Sequence, residues 1–93
     1  INKKTLKLTK KNVLIVNISR GSLIDNNALI KFLEKNPHSG ACLDVFENEP
    51  LKRNSKFLRL KNCMLTSHNA FNTYHEVEKT HTNTINNILK ILR

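Results

Sequence analysis

Val13-Leu14-Ile15-Val16-Asn17-Ile18 is apolar at every position but one, and four of its residues are β-branched. A helix face or a half-solvated strand would alternate apolar and polar positions. A continuous run suits a short strand covered on both faces, as in a parallel sheet. Ser19-Arg20-Gly21-Ser22 breaks the run. Asp25 can then cap a helix through Ala28, Leu29, Phe32 and Leu33, whose i, i+1, i+4, i+5 spacing makes one apolar stripe, and Pro37 and Gly40 close it. Ala41-Cys42-Leu43-Asp44-Val45 reads as a second buried strand. Strand, helix and strand together have the length of a βαβ unit, for which a right-handed crossover is expected.

On either side of this unit the sequence predicts simpler elements. Asn2 can cap a short helix over Lys3 to Lys10 with Leu6 as its apolar anchor. From Phe46 to Asn62 the chain is polar and basic around Pro50, and Cys63-Met64-Leu65-Thr66 offers a third strand. From about Tyr74 to Leu92, apolar residues at Val77, Ile85, Ile88, Leu89 and Leu92 predict a helix with one buried face. No internal repeat or low-complexity linker interrupts the chain. The fold class is therefore α/β: a parallel sheet with a C-terminal helix.

Sixteen Lys and Arg against seven Asp and Glu give a formal net charge of +9, which by itself suggests an anionic partner. The basic residues gather at Lys3, Lys4, Lys7, Lys10 and Lys11 and again from Lys52 to Lys61, and no binding-module signature interleaves with them. With aromatic content at 5% and no nucleic-acid-binding signature, they read as solvated surface, and no nucleic-acid partner is expected. No stretch approaches the ~20 apolar residues of a membrane span, so no membrane partner is expected and the protein reads as soluble and cytoplasmic. Cys42 and Cys63 lie in apolar runs with no CxxC, which predicts two buried free thiols and neither disulfide nor metal site. The chain begins at Ile1 and not at Met, a hint that it is part of something longer.

In an open parallel sheet, ligands bind beyond the carboxyl ends of the strands. Arg20 follows the first strand, Asp44 and Glu49 end and follow the second, and His68 follows the third, so one sheet edge would gather all four. Each has a plain alternative: Arg20 a solvated turn residue, Asp44 a cap, Glu49 a surface acid before Pro50, His68 an exposed histidine. His38, His75 and His81 lack a strand-end setting and read as surface. Together, however, an Arg, a carboxylate and a His suit redox chemistry at a 2-oxo acid. The Arg can grip a substrate carboxylate bidentately, and a His held by a carboxylate can exchange a proton with the carbonyl oxygen. The hydride must come from a cofactor.

Val16-Asn17-Ile18-Ser19-Arg20-Gly21-Ser22-Leu23-Ile24-Asp25 resembles the V-N-x-[AS]-R-G-x-[LV]-[VI]-D signature of the D-isomer-specific 2-hydroxyacid dehydrogenases. The stretch from Gly40 to Pro50 resembles that family's G-A-x-L-D-V-[FY]-E-x-E-P, and Leu65-Thr66-Ser67-His68 its L-T-P-H. The resemblance implies the C-terminal part of a Rossmann-type NAD-binding domain over residues 1–71, with 72–93 a helix leading to the substrate domain. It implies Arg20 on the substrate carboxylate, Glu49 orienting His68, and His68 as proton donor and acceptor. Ile18, Ser19 and Arg20 would line the nicotinamide side of an NAD site, and Asp44 would accept from the nicotinamide amide. His68-Asn69-Ala70-Phe71-Asn72-Thr73 is similar to the H-x-A-F-x-T of D-lactate dehydrogenases, which favours D-lactate and pyruvate among 2-hydroxy and 2-oxo acid substrates. A homodimer is the family's expected assembly.

Two departures stand beside these matches. The chain has no G-x-G-x-x-G, and Ser67 occupies the place of the family's usual proline. An inactive remnant or a binding module that keeps the fold is therefore the alternative to a working oxidoreductase.

Overall fold

The computed structural model describes residues 1–93. Three parallel strands, β1 (Leu14–Asn17), β2 (Gly40–Leu43) and β3 (Cys63–Leu65), form one sheet in the order β1-β2-β3. The register pairs Leu14 with Gly40 and Asn17 with Leu43, then Ala41 with Cys63 and Leu43 with Leu65, so all three carboxyl ends reach one edge. Helices α1 (Lys3–Leu6), α2 (Asn26–Lys35) and α3 (Tyr74–Leu92) complete the chain. The predicted α/β parallel architecture is the observed one.

Helix α2 starts where Asp25 accepts a hydrogen bond from the Ala28 N–H at 2.9 Å and stops just before Pro37, whose ring cannot continue it. Its buried stripe, Leu29, Ile30 and Leu33, packs with Leu6 of α1 onto Ile15, Ala41 and Leu43. The basic segment after β2 is less polar than its composition suggests. A 3₁₀ turn over Lys56–Arg59 carries Phe57, only 2% exposed, against Phe46 with ring centroids 5.8 Å apart. Asn62 then ties the segment to α2 and to the turn before β2 by donating to the carbonyls of Leu33 and Ser39 at 3.1 and 2.8 Å.

Four expectations need correction. Helix α1 ends at Leu6 and not at Lys10, because Leu8 finds nothing to pack on, and the Thr9 hydroxyl turns the chain by donating to the Leu6 carbonyl. Strand β1 is covered on one face only: Ile15 and Asn17 point inward, while Leu14 and Val16 are exposed. Both helices that pack on the sheet lie on the same side, which leaves the apolar residues of the other side open. Helix α3, capped by Thr73 accepting from the Glu76 N–H, buries none of its apolar stripe. Cys42 and Cys63 are half-buried, and adjacent register places them on opposite faces of the sheet, so both are free thiols. Burial pushes the Cys63 thiol up to about 11. No helix is long and apolar enough to cross a membrane.

Candidate active site at the carboxyl edge of the sheet

Each of the three strands ends in a polar residue or turn that shapes one wall of the site. At the end of β1, the buried Asn17 side chain accepts from the Ser19 N–H at 3.1 Å and donates to the Arg20 carbonyl at 2.9 Å. This single amide closes the turn that presents Ile18, Ser19 and Arg20. The Arg20 guanidinium is exposed and donates to the Ser19 carbonyl at 2.7 Å. Gly21 fixes where that turn sits. A Cβ there would lie 1.9 Å from the Phe46 carbonyl carbon and 2.4 Å from the Glu47 nitrogen, so the first loop rests directly on the backbone of the second.

The second loop aims Glu49 from both carboxylate oxygens. Oε1 accepts from the Phe46 N–H at 2.9 Å, and Oε2 meets His68 Nδ1 at 2.7 Å. With a carboxylate as acceptor, Nδ1 carries the hydrogen and Nε2 is the nitrogen left for chemistry. The His68 interaction, then the Phe46 N–H, hold the Glu49 carboxyl below its ordinary value against the opposing effect of burial. The Glu49–Pro50 peptide bond is cis.

Asp44 governs the third loop. Its Oδ1 accepts from the Thr66 hydroxyl at 2.5 Å and the Asn69 N–H at 3.0 Å, and Oδ2 accepts from the Ala70 N–H at 2.9 Å. The Thr66 hydroxyl leads the causes that keep the Asp44 carboxyl below its ordinary range. These bonds wrap the turn around His68, which adopts the left-handed conformation with φ of 58°, a region few residues other than glycine occupy without local support. Asp44, Glu49, Thr66 and His68 line a crevice of about 680 Å³ together with apolar Phe46, Leu51, Leu58 and Leu65.

The structure thus brings Glu49 and His68 into direct contact and sets Asp44 beneath them. Arg20 stands at the same edge, joined to them through the Gly21–Phe46 backbone contact and with its guanidinium turned to its own loop. Sequence reasoning passed over Thr66 as a functional residue, treated Gly21 only as a turn and Asn17 only as the interruption in an apolar run. That interruption was the available signal: a polar residue inside a buried strand needs a partner.

In open parallel α/β sheets ligands bind beyond the carboxyl ends of the strands, which is where Glu49 and His68 meet. Residues 1–70 match the family described as D-isomer specific 2-hydroxyacid dehydrogenase, NAD binding domain, and the chain belongs to that family. Glyoxylate reductase of Pyrococcus horikoshii is 47% identical over 68 residues, which are 73% of this chain and 20% of that protein. D-3-phosphoglycerate dehydrogenase of Methanocaldococcus jannaschii is 40% identical over all 93 residues, 18% of its length. Among solved structures, the NAD-complexed D-isomer specific 2-hydroxyacid dehydrogenase of Lactobacillus delbrueckii ssp. bulgaricus superposes with a TM-score of 0.77 at 28% identity, over 99% of this chain and 32% of that one. The chain spans about a fifth of the length of the curated relatives it matches.

Proposed function

We propose that this edge carries the proton-transfer and carboxylate-binding half of an NAD-dependent D-2-hydroxyacid dehydrogenase site, acting on a short-chain 2-oxo acid. The observation that carries the reading is the 2.7 Å contact between Glu49 and His68 at the carboxyl edge of a parallel sheet. When bound, NADH supplies the hydride. His68 Nε2 gives its proton to the substrate carbonyl oxygen as the alcohol forms and takes it back in the oxidation. Glu49 fixes the ring and balances the positive charge that the imidazole carries before it donates. Arg20, once swung away from the Ser19 carbonyl, grips the substrate carboxylate.

The residues fit the nicotinamide end of the cofactor. Ile18 is 65% exposed immediately past β1 and offers an apolar wall for the ring, beside the Ser19–Arg20 turn that Asn17 holds. Asp44 Oδ2 accepts one hydrogen bond, from Ala70, and keeps a lone pair for the carboxamide. We read 72–93 as the helix that leads from this unit to the substrate-binding part.

For the substrate, the H-x-A-F-x-T resemblance from His68 to Thr73 favours pyruvate and D-lactate. The test is a chimaera in which this chain replaces the aligned segment of the Pyrococcus horikoshii glyoxylate reductase. Reduction of a 2-oxo acid by NADH is expected, with kcat falling on the order of 10²–10⁴-fold in His68→Ala. An unchanged kcat in that variant removes the catalytic assignment. A pyruvate-to-glyoxylate preference no higher than in the parent enzyme removes the D-lactate assignment alone.

A further inference from the structure

Away from the strand ends, α1 and α2 flank a groove of about 810 Å³ that the reaction does not use. Lys3, Lys7 and Lys11 stand on one side and Lys31 and Lys35 on the other, with Leu6, Ala28 and Phe32 among the residues between them. Lys31 and Lys35 are four residues apart on α2, so that wall stacks like charges on one helical face, an arrangement that opposes folding, and Lys3 and Lys7 bracket the short α1. None of the five is neutralised: the only ion pair of the structure is Glu49–His68. Asp25, the one acid lining the groove, directs its Oδ1 to the Ala28 N–H as the cap of α2.

Five unpaired ammonium groups around a partly apolar floor make an amphipathic receptor. Phe32 and Ala28 are half-buried, which leaves part of each to contact an occupant. We propose that this groove is an interaction surface for an acidic peptide segment that alternates carboxylates with apolar anchors. The carboxylates would meet the lysine walls, and the apolar side chains would cover Phe32 and Ala28. A nucleic-acid strand fits less well, because it needs exposed aromatic platforms for its bases and the groove contains only the half-buried Phe32. The surface lies apart from the crevice of Glu49 and His68 and shares no lining residue with it.

The test is fluorescence anisotropy of a labelled peptide of repeating Glu-Glu-Leu-Phe titrated with the 93-residue chain, accompanied by amide chemical-shift mapping. Saturable binding is expected, with shifts centred on Leu6, Ala28 and Phe32 and affinity falling as salt rises. Lys7→Glu with Lys31→Glu should weaken binding by about tenfold or more. Lys52→Glu with Lys61→Glu, the same change in net charge outside the groove, should weaken it by less than about twofold. Should the first pair fail to give a native circular dichroism spectrum, Lys31→Gln with Lys35→Gln is read instead and should still weaken binding severalfold. Equal loss in the groove and control variants, shifts centred elsewhere, or oligothymidylate binding the groove as tightly as the peptide would each overturn the proposal.

Discussion

Asp44 illustrates how much one side chain can arrange. Its three bonds to Thr66, Asn69 and Ala70 hold the turn that carries His68, and the energetic consequence has a definite sign. A carboxyl whose folded value is depressed contributes stability above its unfolded value and loses it as pH falls through the folded one. Asp44 and Glu49 are both depressed, from 3.8 and 4.5 respectively. The two carboxylates therefore contribute their stability in full above about pH 4.5 and lose it in more acidic solution. Followed by nuclear magnetic resonance, the Asn69 and Ala70 amide shifts should titrate together with a midpoint below 3.8, and Asp44→Asn should abolish that titration. A midpoint at or above 3.8 would show that the carboxylate does not hold the turn. At this scale the residue identities, and through the family resemblance the Glu49–His68 pairing, were legible, while the partners of Asp44 and Asn17 were not. Arg20, Asp44, Glu49 and His68 are all visible at strand ends, but the hydroxyl of Thr66 and the amide of Asn17 act through positions that only the folded backbone brings together.

Among the elements, the strands were the most legible, because a continuous apolar run leaves few other solutions. Helix α1 was read too long, since three lysines beyond Leu6 have no buried face to extend it. The basic loop hid Phe57, a single aromatic whose burial depends on Phe46, eleven residues earlier in the chain. The junction between loops is where element geometry is most exposed to substitution. Gly21→Ala would press a methyl group into the Phe46–Glu47 peptide, and backbone atoms cannot rotate aside. The expected cost is on the order of 1–3 kcal/mol, measured by urea denaturation, together with loss of the Glu49–His68 contact as the second loop shifts. A stability change below about 0.5 kcal/mol would mean the two loops are not in contact in solution.

Over the whole molecule, apolar surface is distributed unevenly. One face of the sheet packs on α1 and α2, and the other shows Leu14, Val16 and Met64, while α3 shows Ile85, Ile88 and Leu89. Sequence pattern alone assigned burial to Leu14, Val16 and the α3 stripe, because an apolar pattern reports which residues are apolar and not whether anything lies against them. Replacing Leu14, Val16 and Met64 by Thr should therefore change unfolding free energy by less than about 0.5 kcal/mol per site, while reducing the binding of a hydrophobic dye. A loss of several kcal/mol would instead reveal that this face is covered in solution.

The loops of the candidate site are tied largely by main-chain atoms. Glu49 takes its orientation from the Phe46 N–H, Asp44 accepts from the N–H groups of Asn69 and Ala70, and Gly21 rests on the Phe46 carbonyl. Every non-proline residue carries an N–H, so the identities at 69 and 70 are largely free with respect to this geometry. Two adjacent positions beside His68 can therefore be randomised while the contact between Glu49 and His68 stays where it is.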